Sequence, residues 1–541
     1  MHRSIIVIVI IALSYFAWDR FATRDDPVIP AHLEISSAND GIQVDPDETI
    51  EVTGAAAVGR NSVAVLPFIA ESNGPDDDYF SAGFSEEIIN ALTQLPELLV
   101  TARSSAFHFK GQKLSTQDIA KRLGVGHIVE GSVLRAGGQL RIKAQLLRAE
   151  DGFQLWSEHY DRRTEDTFAM QADIAQKVAT ALNVVLDEEQ RARMRRAGVH
   201  NVAAYTAYQK GLELYTRAHS EINQISLLRQ ANEYFEKSID EAPDFTDAYL
   251  LHSDLYSHIL ISQANGQIDG NIRKEDVQKA PAALEFDYDQ AIRQASSTDQ
   301  RHLAEYDRAL LLGEWRGLAS LSARALDTPG CQVALWAQLA STAYGQAQQL
   351  RDAYERNTKC NPVLARPWIH IVRADLWLAQ PQRAIRAAES RLKTMNSPSL
   401  TAAYIMALAM AGRMEQAEQV TASSLQDDRE RLISRALLAA IRGDEELASR
   451  LQDMILGRYG PNDFTSLLLE AARGRYNEAN RLASLIDRRP AGYIALMQAV
   501  YLCTCGAPFD LEATPVFASM LADSGLPWPP AKPIEFPLKD W

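Results

Sequence analysis

The sequence predicts an α/β domain followed by an all-α solenoid of helical hairpins, behind a single N-terminal transmembrane helix. Three observations carry this. Six-residue windows closing on alanine (Ala353, Ala384, Ala417, Ala448, Ala479) recur at 348–353, 379–384, 412–417, 443–448 and 474–479, their starts 31, 33, 31 and 31 residues apart. Strand-like and helix-like stretches alternate over residues 62–190, and an uncharged apolar run fills residues 4–18. A fixed period of this length marks a unit that cannot bury its apolar face alone and stacks on its neighbours.

The chain of 541 residues has room for two or three domains. Its net charge of −15 and pI near 5.3 oppose electrostatic binding to nucleic acid, and no nucleic-acid partner is expected. The one dense basic run, Arg191-Ala-Arg-Met-Arg-Arg196, follows Asp187, Glu188 and Glu189 and reads as a solvated helix face.

Taken in order, Arg3 precedes the apolar run, which is intermediate in length between a signal-peptide core and a spanning helix. Trp18, Asp19, Arg20 and Phe21 leave no small-residue cleavage site, while Tyr15, Phe16 and Trp18 suit an interfacial belt. Residues 1–20 are therefore expected to be an uncleaved anchor in the inner (plasma) membrane, single-pass, with the bulk of the chain in the periplasm. Residues 21–61, with Pro27, Pro30, Pro46 and scattered acids and glycines, read as a flexible tether.

The α/β domain is placed at 62–190. Ser62-Val-Ala-Val-Leu-Pro-Phe68 has the β-branched content of a buried strand. Ser81 or Ser85 is expected to open a helix that stops before Pro96. Residues 98–102 form a second strand. Residues 117–123 form a short helix capped by Ser115 or Thr116 and closed by Gly124. Two alternating strands, 127–134 and 139–147, flank Gly137-Gly138, a hairpin signal. A further strand at 153–160 and an amphipathic helix at 168–186 complete the unit.

The repeat array is placed at 200–490, with a polar surface loop at 265–279, and 491–541 is expected to be a terminal cap and Pro-rich tail. Three windows begin with glycine, a residue of free φ that can end one helix and admit the next.

Two resemblances follow from particular residues. Ala231-Asn-Glu-Tyr-Phe235-Glu-Lys-Ser238-Ile-Asp-Glu-Ala-Pro243, followed by Tyr249 and Tyr256, resembles the tetratricopeptide repeat; Trp368 and Tyr344 sit where that family places aromatics, whereas Thr401 and Leu432 replace its tryptophan. Val63-Ala-Val-Leu-Pro-Phe68, Tyr79-Phe-Ser-Ala-Gly83, Arg103-Ser-Ser-Ala-Phe107, Leu123-Gly-Val-Gly-His-Ile-Val-Glu-Gly131-Ser-Val and Gln154-Leu-Trp156-Ser-Glu-His-Tyr-Asp161-Arg resemble the TolB amino-terminal-like, or FlgO-like, domain. That domain commonly precedes tetratricopeptide repeats in the exported part of CadC-type regulators and accompanies adenylate cyclases. Such regulators carry a winged helix ahead of the membrane helix, and here only a few residues stand there.

The repeat resemblance implies a concave groove lined by first helices. Its positions fall on Leu335, Gln338 and Thr342 in one copy, Arg366, Ile369 and Arg373 in the next, and Met406 in the third. Two arginines there would suit an acidic segment or a free C-terminus.

Chemistry-bearing sets are sparse. Cys503-Thr-Cys505 lacks a second pair or a neighbouring histidine, so neither metal nor cofactor is expected. His108, His127 and His159 have no G-x-S-x-G elbow beside them and read as structural. In an exported chain, four cysteines argue for disulfides. Cys331 begins one hairpin and Cys360 ends it, so their bridging is expected, while Cys503 and Cys505 are left as free, strained or intermolecular.

The expected function is that of a non-enzymatic, membrane-anchored sensor or scaffold binding protein or peptide partners, with a homo-oligomer allowed. Two alternatives stay open. One is the signal-sensing half of a transcriptional regulator or cyclase system whose effector is a separate chain; the other is a hydrolase using the α/β cleft.

Overall fold

The computed structural model describes residues 59–530, apart from 75, 185, 197–200, 220–223, 267–271, 426–427, 461, 505 and 529. The proposed anchor, most of the tether and residues 531–541 lie outside it. Among the described residues no helix is long and apolar enough to cross a membrane.

The chain is mostly helical: a small mixed sheet comes first and a helical, solenoid-like region follows. The sheet unit runs β1 (Gly59–Val65), β2 (Ile69–Ala70), α1 (Asp77–Leu92), β3 (Leu99–Val100), α2 (Arg103–Phe107), α3 (Thr116–Leu123), β4 (Val125–Ala136), β5 (Gln139–Arg148), β6 (Gln154–Arg163), α4 (Thr167–Ala181) and α5 (Glu188–Arg196). Strand order is β3-β1-β4-β5-β6, with β1 parallel to both neighbours, the β4–β5–β6 ladder antiparallel, and β2 beside β4.

Alternation decides the faces. Val129, Val133, Leu140, Ile142, Ala144 and Leu146 are buried in one core with Phe84, Ile88, Leu92, Ile174 and Val178 of α1 and α4. A smaller core on the opposite side joins Ala64, Leu66 and Ile128 to Ile119, Ala120 and Leu123 of α3. The local signals are where the sequence puts them: Ser115 accepts from the Asp118 N–H, Gly124 closes α3 at φ 67°, and Gly137 and Gly138 turn the hairpin at φ 56° and 78°.

Three expectations need correction. Strand β1 begins at Gly59, inside the stretch assigned to the tether, because Gly59 registers with Val125. Helix α1 begins at Asp77 rather than at Ser81 or Ser85, and the buried Ser85 hydroxyl accepts from the Phe68 N–H at 2.7 Å instead of capping. The loop expected at 265–279 is cut short by a helix beginning at Lys274, whose first turn carries Glu275 and Asp276.

The helical region opens with α6 (Val202–Ala218), α7 (Gln224–Glu241), α8 (Thr246–Ala264), α9 (Lys274–Gln294), α10 (Thr298–Leu312) and α11 (Leu318–Leu326). Next come α12 (Ala337–Ser341), α13 (Ala347–Cys360), α14 (Ala365–Trp377), α15 (Pro381–Leu392), α16 (Pro398–Met410) and α17 (Met414–Ser424). The last are α18 (Asp428–Arg442), α19 (Glu445–Tyr459), α20 (Asp463–Ala472), α21 (Tyr476–Asp487), α22 (Gly492–Cys503) and α23 (Pro515–Ser524).

The periodic windows are the entries to the second helices α13, α15, α17, α19 and α21. Their closing alanines are all buried, at 0–3% exposure, which explains why only a methyl fits where two helices approach. Gly412, Gly443 and Gly474 take φ of 81°, 79° and 71°, and Ala379 takes the same left-handed turn at φ 55°. A Cβ in that region costs about 1 kcal/mol. Ala379→Gly should therefore raise the urea midpoint by up to about 1 kcal/mol-equivalent, net of the added unfolded-state entropy, whereas Gly443→Ala should lower it.

Cys331 and Cys360 form a disulfide, with Cα atoms 6.1 Å apart and 29 residues of separation. Closing a loop of this length restricts the unfolded chain by about 3 kcal/mol in the entropy model. Cys331→Ser should lose that amount in denaturant unfolding, and reducing agent should destabilise the wild type by about that much more than the variant. Cys503 is also disulfide-bonded, so the free state allowed for it is excluded.

Candidate functional site

The predicted groove positions lie on or beside α12, α14 and α16, and they are not open to solvent. Gln338, Thr342 and Ile369 are 0, 2 and 5% exposed, and Leu335 and Met406 are half-buried against the same core. Arg366 donates to the Leu335 carbonyl at 2.7 Å, and the Arg373 guanidinium lies 5.7 Å from the centroid of the Tyr501 ring. Neither arginine is held out for an acidic ligand.

The cause is α22, whose Ile494, Ala495, Leu496, Met497, Ala499, Val500 and Tyr501 are all buried. A helix apolar all round must be enclosed on every side. It packs against α8 and α12. The Trp377 indole N–H donates to the Tyr501 carbonyl at 3.0 Å, and His370 Nδ1 is 3.1 Å from the Tyr501 hydroxyl. Burial, then the charges of Arg366 and Arg373, pushes His370 well below the usual imidazole range, so it sits there neutral. The solenoid thus closes on its own last hairpin: Tyr493 donates to the Leu311 carbonyl and the Gly317 N–H to the Asp523 carbonyl.

A second built site joins the sheet unit to the helices. Gly83 on α1 faces Tyr205 on α6, where an added Cβ would stand 1.9 Å from the ring. Absence of a side chain lets the two helices touch. Beside this contact, Glu86 Oε2 accepts from the Tyr205 hydroxyl at 2.7 Å and the Gln209 amide at 2.6 Å and forms an ion pair with Arg103, whose Nε lies 2.6 Å away. Arg103 also donates to Gln209 at 2.8 Å and covers the Phe107 ring at 4.3 Å. Burial first, then the nearby carboxylates, raises the Tyr205 phenol well above its ordinary range. Around this centre Tyr79 donates to Glu213 and Lys210 pairs with Asp76. A second contact joins the Ala102 N–H to the Cys360 carbonyl, at the disulfide. Tyr79, Gly83, Arg103 and Phe107, quoted above for their family resemblance, are thus docking residues; their partners Glu86, Tyr205 and Gln209 carried no sequence signal.

The third arrangement was also missed. His219 caps α6, and Asp254 and His258 lie one turn apart on α8. The imidazole Nε2 atoms are 3.3 Å apart, and Asp254 Oδ2 lies 3.2 Å from the first and 3.3 Å from the second. Burial opposes ionisation of Asp254, yet the two imidazoles hold its carboxyl well below the usual carboxylate range. By contrast, His108, His127 and His159 are not brought together: the first packs edge-on against Phe109, the second faces the Ser62 carbonyl, and the third is exposed on β6.

No family model matches the chain. It is 31% identical over 245 residues to the protein of Rhizobium meliloti (strain 1021) named "Putative adenylate cyclase 3". The match covers 45% of this chain and 40% of that relative, so the chain spans well under half of the protein it resembles. This relationship corrects the expectation of a chain without enzymatic activity, because the shared region belongs to a protein named for an enzymatic reaction.

Proposed function

We propose that this chain works in adenylate-cyclase signalling, as the part that receives a signal from a protein or peptide partner. The observation that carries the reading is the 31% identity over 245 residues with a protein named as an adenylate cyclase. In this reading the sheet unit is a TolB-like domain and the helical region a tetratricopeptide array. The apolar run at 4–18 tethers both to the inner membrane, with the folded part exported. A disulfide between Cys331 and Cys360 agrees with an oxidising compartment.

Because α22 fills the inner face, a partner is not read by simple insertion there. The signal is instead read through the docking of the sheet unit on α6, where one buried carboxylate gathers two donors and a cation. An assembly held by a few charge-assisted bonds has two discrete states, docked and released, and a partner that favours either shifts the balance.

The test is capture by the full chain from its native cells, followed by an assay for conversion of ATP to cyclic AMP. The expected result is cyclase activity in the captured material, or in the chain itself, above that of an unrelated bait. If the chain makes no cyclic AMP and captures no activity that does, the proposal fails.

A further inference from the structure

His219, Asp254 and His258 bring three metal-ligand atoms to one point. The Nδ1 of His219 lies 2.8 Å from the Tyr215 carbonyl. A carbonyl only accepts, so Nδ1 carries the hydrogen and the neutral ring turns its Nε2 lone pair inward. There it meets Asp254 Oδ2, also an acceptor, and His258 Nε2. Asp254 is 6% exposed, and its Oδ2 faces both imidazole nitrogens, at 3.2 and 3.3 Å. Two imidazole nitrogens and a carboxylate oxygen converging at this spacing form a ligand set suited to a cation.

The spacing selects its kind. A tetrahedral ion with bonds of about 2.0–2.1 Å sets its ligand atoms about 3.3–3.4 Å apart, whereas a right-angled octahedral set brings them to about 2.8–3.0 Å. The three observed edges are 3.2, 3.3 and 3.3 Å. A charge-assisted N–H···O⁻ bond would instead be about 2.7–2.9 Å. A fourth donor is at hand. Gln224 at the start of α7 is 3% exposed, its Nε2 lies 3.4 Å from His258 Nε2, and its Oε1 has no partner. Half a turn of the amide presents that oxygen to the same point. The Tyr215 carbonyl behind His219 supplies the outer contact that fixes the ring of a metal-bound histidine.

We propose that His219, Asp254 and His258, completed by Gln224 or a water, bind one divalent transition-metal ion of the zinc class. The ion ties the end of α6 to the middle of α8. Helix α6 also carries Tyr205, Gln209 and Lys210 of the docking contact, so the ion fixes the crossing of the first helices on which the sheet unit sits. Of the three, the His219 side chain is the most exposed, at 14%, which places the entry path at the end of α6.

The test titrates the chelator-treated full chain with Zn²⁺ against a chromophoric competitor, comparing wild type with Asp254→Asn and His219→Ala. Circular dichroism establishes that each variant is folded. The expected result is one Zn²⁺ per chain in the wild type, with affinity at least about 100-fold weaker in both variants. Co²⁺ in the wild type should give the intense visible absorption of a tetrahedral site, a readout that needs no variant. A wild type that takes up no ion, an octahedral Co²⁺ spectrum, or undiminished binding by the folded variants overturns the proposal.

Discussion

Arg103→Ala should destabilise the chain by about 3 kcal/mol and uncouple the sheet unit from the helices. The magnitude comes from what the substitution leaves behind. Glu86 is 8% exposed, and its Oε2 would keep the Tyr205 and Gln209 donors but lose the Arg103 counter-charge. Breaking a buried ion pair from one side costs about 3–5 kcal/mol, and the lower end applies because the Arg103 side chain keeps 21% exposure. Tyr205→Phe removes one neutral donor from the same oxygen and should cost only about 1–2 kcal/mol. Urea unfolding followed by both far-ultraviolet circular dichroism and tryptophan fluorescence checks this. The two signals should coincide in the wild type and separate in Arg103→Ala. A coincident transition at the wild-type midpoint would show that the docking contact contributes nothing.

Tyr501→Ala should cost about 3–5 kcal/mol, the range for emptying a buried aromatic position. The ring is fully buried, and it stands between His370 and the Arg373 guanidinium. Its loss opens a cavity where α22 meets α14, the seam that holds the closed form of the solenoid. An increased radius of gyration by small-angle scattering, with helix content retained, is therefore expected under conditions that keep the variant folded. A melt and a radius identical to those of the wild type would mean that α22 is not the closing element.

The repeating part of the fold was legible because it rests on local rules. Alanine closes every window where helices touch, and glycine stands at three of the turns where φ is positive. Ala379 shows the limit of such reading: the turn is the same, but the residue gives no sign of it. The short helix α2 left no trace, since five residues are too few to display a period. The groove positions on α12, α14 and α16 and beside α12 are covered rather than open. Their covering element lies far along the chain, with His370 and Tyr501 131 residues apart, although the all-apolar composition of α22 signals a helix enclosed on every side. The histidine–aspartate triangle escaped for the same reason. Asp254 and His258 show the spacing of one helix face, but His219 comes from the end of another helix. Long-range closure, not local propensity, made both sites.

Docking of the sheet unit on α6 is proposed to set the output of an adenylate-cyclase system. The most direct measurement is cyclic AMP production in native cells carrying either the wild-type chain or Arg103→Ala at equal abundance, with Tyr205→Phe as the milder step. The account predicts that output changes in the order of the docking energies, most for Arg103→Ala and less for Tyr205→Phe. Cyclic AMP levels identical in all three strains, with the docking contact demonstrably lost in Arg103→Ala, would contradict it.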